Sequence, residues 1–343
     1  IDQPVREQPS FPLEMVSCQE CTLVQIGFEA DKRVLFPPDY PYLSGTTKIL
    51  RENFADLYRE SSALVKLSPT SLVVDIGSND GTLLSNFKDH GHKVTGVEPS
   101  LAAELANSRG IKTNMRFFDD EAVAQIISES GKADLVTAAN VFAHIADVHS
   151  VVRSIRSLLT EDGVFVSESH YLLPLLQTLQ YDTIYHEHLR YYSLHSLQYL
   201  FEKNGLEIFH VKMIPTHGGS VRVYTAPKGL RPVQASVGEA LAKEKEAGLL
   251  TGGVFKEFRE AVLRSKLELM SLLEKVKKEK RRVVGIGAPS RASTLINYVG
   301  LDEQIMDCVL EVSSSKKLNK FIPGTKIPVL DEAKLYSEQP DYA

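Results

Sequence analysis

Basic charge, cysteine and long apolar runs are all scarce in this chain. Lys and Arg total 39 against 44 Asp and Glu, a formal charge of −5. A nucleic-acid binder normally carries a basic footprint, so no nucleic-acid partner is expected. No apolar run approaches the ~18–20 residues that span a bilayer, so no membrane partner is expected either. Three cysteines are too few for a disulfide framework and fit a reducing, cytoplasmic compartment. Internal repeats and low-complexity segments are also missing. What is present, 43% hydrophobic and 24% charged over 343 residues, gives ample core for two or three domains. The chain starts at Ile1 and stops at 339–343, where an edge strand is expected to begin, so both ends read as cut.

Residues 1–44 are Pro-rich and irregular, with a Cys-x-x-Cys at Cys18 and Cys21. That spacing is half of a tetrahedral zinc site, and Cys308 is distant in sequence. Ile49, Leu50, Phe54, Leu57 and Leu64 recur at helical spacing over about 46–65. Short apolar strands at 71–76, 93–97, 111–114, 133–137 and 163–167 then alternate with helical stretches. That pattern predicts a parallel sheet covered on both faces. Segments 206–214 and 220–225 read as an antiparallel pair. The stretch 227–232 reads as a linker. A charged helix is predicted over 255–280, with Phe255, Phe258, Val262, Leu269, Leu273 and Val276 on one face. A second strand–Gly turn–helix begins at 282, and another strand is expected over 307–312.

Two motifs carry chemistry. In the first, the strand Val73–Ile76 runs into Gly77-Ser78-Asn79-Asp80-Gly81 and a helix start. Glycine lets the backbone approach a ligand, and the helix start offers unpaired N–H groups. Glu98 ends the next strand, where a ribose-binding carboxylate sits in such folds. The dinucleotide fingerprint is not matched. An acidic, Asn-bearing turn suits the cationic sulfonium and amino-acid end of S-adenosylmethionine better than a pyrophosphate. The second motif is Tyr181-Asp182-Thr183-Ile184-Tyr185-His186-Glu187-His188-Leu189-Arg190-Tyr191-Tyr192-Ser193. Imidazoles titrate near neutral pH, and a neighbouring carboxylate raises their basicity. So dense a set of acid–base groups points to removal of a proton. A His-x-His metal pair is the other reading, and no third ligand stands at a metal-like spacing.

The D-x-G-x-x-x-G turn followed by V-x-G-V-E-P resembles motifs I and II of class I methyltransferases. Together with Tyr40-Pro41-Tyr42-Leu43-Ser44, His144, the Tyr-Asp-x-Ile-Tyr-His-Glu-His string, His217–Arg222 and the 285–290 turn, it resembles the nucleotide-deoxysugar C-methyltransferases. The resemblance runs from the cysteine pair to the end of the chain. It implies an α/β fold: a class I methyltransferase Rossmann-like domain, a C-terminal second Rossmann-like domain, and an N-terminal zinc-binding remnant. The implied parts are a truncated zinc-binding domain over 1–50, a donor-binding methyltransferase domain over 51–228, and a nucleotide-sugar domain over 229–343 whose end is cut. The implied activity is S-adenosylmethionine-dependent methylation, at C3, of a dTDP-linked 4-keto deoxysugar by way of an enolate. The rivals are an O- or N-methyltransferase of a small metabolite and a non-catalytic nucleotide-sugar binder. A monomer or homodimer is expected.

Carried over residue by residue, the resemblance makes His188 the base and Glu187 a group that orients or polarises its neighbour. Tyr185 donates to or positions the keto sugar, and His144 hydrogen-bonds the enolate. Tyr40 or Tyr42 closes the pocket. Asp75, Gly77, Asn79 and Asp80 line the methionine and ribose end of the donor, and Glu98 binds the ribose hydroxyls. Pro99 flanks the adenine, Phe118 and Asp119 face it, and Asn140 passes near the sulfonium. Arg222, Ser290, Arg291 and Asn297 are the substrate-binding candidates. Cys18 and Cys21 hold a structural zinc, completed by a cysteine pair before Ile1. The chain departs from the family at Ala292-Ser293-Thr294, where Gly-Asn-Thr is usual, and at Asn53, where His is usual. These departures bear on nucleotide contacts, not on the reaction class.

Overall fold

The computed structural model describes residues 5–36 and 42–343. Tyr40 therefore lies outside the described residues. The chain divides into two compact units. A central unit comprises Glu14–Leu175 and Glu187–Leu250; a flanking unit comprises residues up to Leu13, Leu176–His186 and Thr251–Ala343.

In the central unit, β1 (Met15–Ser17) and β2 (Val24–Ile26) form a hairpin. Then come β3 (Leu72–Ile76), β4 (Lys93–Val97), β5 (Thr113–Asn114), β6 (Ala133–Ala139), β7 (Leu159–His170), β8 (Arg190–Tyr191), β9 (Leu206–Ile214) and β10 (Ser220–Pro227). Among the described residues, seven of these make one sheet in the order β5-β4-β3-β6-β7-β10-β9, and β8 extends the hairpin antiparallel to β2. The first five sheet strands are parallel, and β10 runs against both its neighbours. β3 is buried at every position, as a strand covered on both faces must be, which is why it reads as an unbroken apolar run around Asp75.

The helix Lys48–Leu64 buries Leu50, Asn53, Phe54, Leu57 and Ser61. Phe54 and Leu57 join Val73, Leu84, Phe87 and Leu135 in the core. Ile49, expected on that apolar face, is 56% exposed. The helix Ala235–Glu246 packs on β9. Compactness therefore divides the chain after Leu250 rather than at the Pro-rich stretch 227–232.

In the flanking unit the helix Gly253–Lys278 buries Val262, Leu273 and Val276, on the expected face. Strands β11 (Val284–Ile286), β12 (Cys308–Glu311) and β13 (Val329–Asp331) form a parallel three-stranded sheet. The helix Ser290–Val299 links the first two. The expected terminal edge strand is a single bridge, Tyr342 to Val283.

Candidate active site

The carboxyl ends of parallel strands are where open α/β sheets bind ligands, and the donor motif lies there. β3 ends in Gly77, with φ +66°. A Cβ at that position would lie 2.5 Å from Cγ2 of Val141, so only glycine fits, for backbone and for space. The Gly77 N–H donates to the Val97 carbonyl at 2.8 Å. Glu98, 7% exposed, accepts from the Asn79 N–H at 3.0 Å and from the Ser100 N–H at 2.9 Å. Its carboxylate is thereby aimed across the turn, with lone pairs left for ligand hydroxyls. This cradle fits the adenosyl and amino-acid parts of S-adenosylmethionine.

The Asn79 and Asp80 side chains are engaged locally. Oδ1 of Asn79 accepts from the Ser44 N–H at 2.8 Å, and its Nδ2 donates to the Tyr42 carbonyl at 3.1 Å. Asp80 accepts from the Gly45 N–H at 3.1 Å. The segment 42–46 is thus strapped to the donor turn and carries Tyr42 with it. Asp119 caps its own helix, accepting from the Ala122 N–H at 2.8 Å. Phe118 and Pro99 are half-buried. Asn140 has φ +60° and donates its N–H to the Glu168 carbonyl at 2.8 Å.

Asp75 is 3% exposed and takes the Thr137 hydroxyl at 2.6 Å. Burial pushes its carboxyl up to about 8, with Glu98 and Glu168 acting in the same direction and Thr137 opposing. The native state therefore keeps a proton that the unfolded chain releases near 3.8. Stability is full below that value and falls as pH rises towards about 8. Asp75→Asn is expected to flatten the decline in thermal stability between these two limits, measured by melting curves across pH. An unchanged slope contradicts the assignment.

The Tyr/His-rich stretch is split between the units. Tyr185 and His186 belong to the flanking unit; Glu187 and His188 belong to the central one. Nε2 of His186 lies 2.9 Å from the Pro12 carbonyl, and its ring contacts Phe11, as a structural histidine does. His188 instead faces His144, their ring centroids 5.1 Å apart. The chain around this pair is zipped to the 142–146 loop. The Leu189 N–H donates to the Ala143 carbonyl at 2.7 Å, and Arg190 donates to the carbonyls of Ile145 and Ala146. Tyr185, Glu187 and His188 are all half-buried.

His144 corrects one expectation. Its Nδ1 meets the Glu187 carbonyl at 2.5 Å. A carbonyl only accepts, so Nδ1 carries the proton. Burial lowers the pKa of the ring, which favours the neutral form, with the carbonyls of Glu187 and Asn140 opposing. A neutral ring bonded this way has no second N–H to give an enolate oxygen.

Arg222 is a second correction. It is fully buried and pairs with Glu168 at 2.8 Å, Glu60 at 2.6 Å and Asp56 at 3.0 Å, with Nη2 on Asn53. Its guanidinium is committed inside the central unit and is out of reach of a substrate. Sequence reasoning also missed Glu244, fully buried, which accepts from the Leu194 and His195 N–H groups. It pins the helix Leu194–Lys203 that follows the His188 segment.

In the flanking unit, Ser290 and Arg291 open the helix after Gly287, and both are exposed. Nε of Arg291 donates to Asp182 at 2.6 Å. Asn297 braces a loop, donating to the Ser293 and Pro323 carbonyls, so its amide serves the fold. Cys18 and Cys21 flank a turn between β1 and β2. Among the described residues no group of three or more His, Cys, Asp or Glu side chains could hold a metal ion, and no step is drawn through a zinc.

Comparison with known proteins matches the chain in two parts that meet between residues 211 and 215. A methyltransferase-domain family matches residues 48–211, and a C-methyltransferase C-terminal-domain family matches 215–343. The C-methyltransferase NovU of Streptomyces niveus is 34% identical over 334 residues, covering 97% of this chain and 79% of that protein. A ubiquinone biosynthesis O-methyltransferase of Glaesserella parasuis is 29% identical over 103 residues, 28% of this chain and 44% of that protein. Among solved structures, the magnesium protoporphyrin IX methyltransferase of Synechocystis superposes with a TM-score of 0.41 at 16% identity, over 52% of this chain and 83% of its own.

Proposed function

Because the chain belongs to the C-methyltransferase family that includes NovU, and is an S-adenosylmethionine-dependent methyltransferase, we propose that it methylates C3 of a dTDP-linked 4-keto deoxysugar. The observation that carries this reading is the His144–His188 pair, on the loop that packs Val141 against the donor turn. Transfer to a heteroatom needs one base at most. Transfer to carbon needs a base close to the donor that can take a proton alpha to a carbonyl.

When bound, the donor supplies an electrophilic methyl group on a sulfonium. The close-approaching Gly77 backbone and the Glu98 carboxylate would hold it. His188 removes the C3 proton, and the electron pair of the C–H bond moves into the enolate, making C3 the nucleophile. His144, fixed by the Glu187 carbonyl, stands beside His188, their ring centroids 5.1 Å apart, and positions it. Ser290 and Arg291 are assigned to the nucleotide. The 42–46 segment, tied to the donor turn, favours methyl transfer by alignment.

Incubation with S-adenosylmethionine and a dTDP-4-keto-6-deoxysugar should give a product heavier by one methyl, with the new carbon bonded to C3 in the NMR spectrum. A methyl group on oxygen or nitrogen refutes the reading.

A further inference from the structure

The central and flanking units share one arrangement of hydrogen bonds that sequence spacing did not reveal. In the central unit, the Gly77 N–H donates to the carbonyl of Val97, the residue before Glu98. Glu98 then accepts from a turn amide, Asn79 at 3.0 Å, and from an amide just downstream, Ser100 at 2.9 Å. In the flanking unit, the Gly287 N–H donates to the carbonyl of Leu310, the residue before Glu311, at 2.7 Å. Glu311 accepts from a turn amide, Ala288 at 2.8 Å, and from the amide of Val312 at 3.0 Å. Both glycines are left-handed, with φ +66° and +82°. Both acids end the strand that pairs in parallel with the strand before the turn.

This is a costly way to build a loop unless the acid has a further task. A carboxylate tied to two amides keeps lone pairs free and fixed in direction. At this place in such folds the acid reads a nucleoside's sugar hydroxyl. The surroundings of Glu311 suit a nucleoside. Ile286 is 61% exposed and Val312 46% exposed, and these two apolar side chains stand at the carboxyl ends of neighbouring strands β11 and β12. Both are open to an apolar ligand surface. Lys317, which donates to the Ala288 carbonyl at 2.6 Å, brings a cation to the same turn.

We infer that Glu311 is the sugar-hydroxyl acceptor of a nucleotide site in the flanking unit, with Ile286 and Val312 as the apolar platform for the base. The inference deepens the nucleotide-sugar reading above and rests on it for the choice of thymidine. There the only free hydroxyl on the furanose of dTDP is the 3′-hydroxyl, and Glu311 accepts it.

Titration calorimetry on the full chain tests this, with dTDP and its 3′-deoxy analogue against wild type and Glu311→Gln. Glu311→Gln should bind dTDP about 10- to 100-fold more weakly, the range for a hydrogen bond to a charged group. Wild type should lose a similar factor with the 3′-deoxy analogue. The two losses should not add when combined, which separates a ligand contact from damage to the turn. S-adenosylhomocysteine affinity should stay unchanged in the variant. If wild type binds dTDP and the analogue equally, the Glu311 assignment falls while the thymidine reading stands. If dTDP fails to bind but UDP or ADP binds in a Glu311-dependent way, the thymidine reading falls and the Glu311 site stands. If none of these nucleotides binds, both fall.

Discussion

His188→Asn should lower kcat by about 10²- to 10⁴-fold, the range for loss of a positioned general base, with S-adenosylmethionine affinity unchanged. Asn keeps much of the size and polarity of His but cannot accept a proton at neutral pH. His188 is the group that faces His144, in the loop zipped to 142–146, whereas the other histidine of the motif is held by the Pro12 carbonyl. His186→Asn should therefore leave kcat within a few-fold of wild type and act, if at all, on stability. Steady-state kinetics with both variants distinguishes them. Equal losses in the two would mean that the stretch acts structurally and that His188 is not the base.

Arg222→Met should destabilise the central unit by about 3–5 kcal/mol, the cost of leaving buried acids without their partner. Arg222 and Glu168 are fully buried and stand directly opposite each other on β10 and β7. Asp56 and Glu60, from the helix Lys48–Leu64, complete the cluster. Burial pushes the Glu168 carboxyl up, and Arg222 and Asn53 hold it down, so the variant should also shift the loss to higher pH, where Glu168 must ionise alone. The double variant Arg222→Met with Glu168→Gln should recover part of the loss, since the uncompensated charge is gone. Urea denaturation measures both. A loss under about 1 kcal/mol would mean that water already reaches the cluster.

These cases show what the amino-acid order could reveal. The parallel strands and the donor turn were legible because burial on both faces forces continuous apolar runs and the turn forces glycine. The long helix at Gly253–Lys278 was legible from its 3.6-residue period. Arg222 was misread because a lone arginine on a strand looks like a ligand contact. Its partner, 54 positions earlier in the chain, becomes visible only once the β7–β10 register is known. Glu244 was invisible for the same reason, since nothing on its own helix marks it as the cap of another. The tautomer of His144 depends on where one backbone carbonyl falls, which no residue spacing encodes. The unit boundary after Leu250 was hidden because a Pro-rich stretch resembles a linker even when the helix beyond it packs back on β9.

A carbon nucleophile made by His188 as the base must exchange the proton it removes. Incubation of the keto sugar with the protein in deuterium oxide, without S-adenosylmethionine, tests it most directly. Deuterium should enter C3 with wild type and not with His188→Asn, while the variant still binds S-adenosylhomocysteine. Exchange that persists in His188→Asn, or its absence in wild type that methylates the sugar, would contradict it.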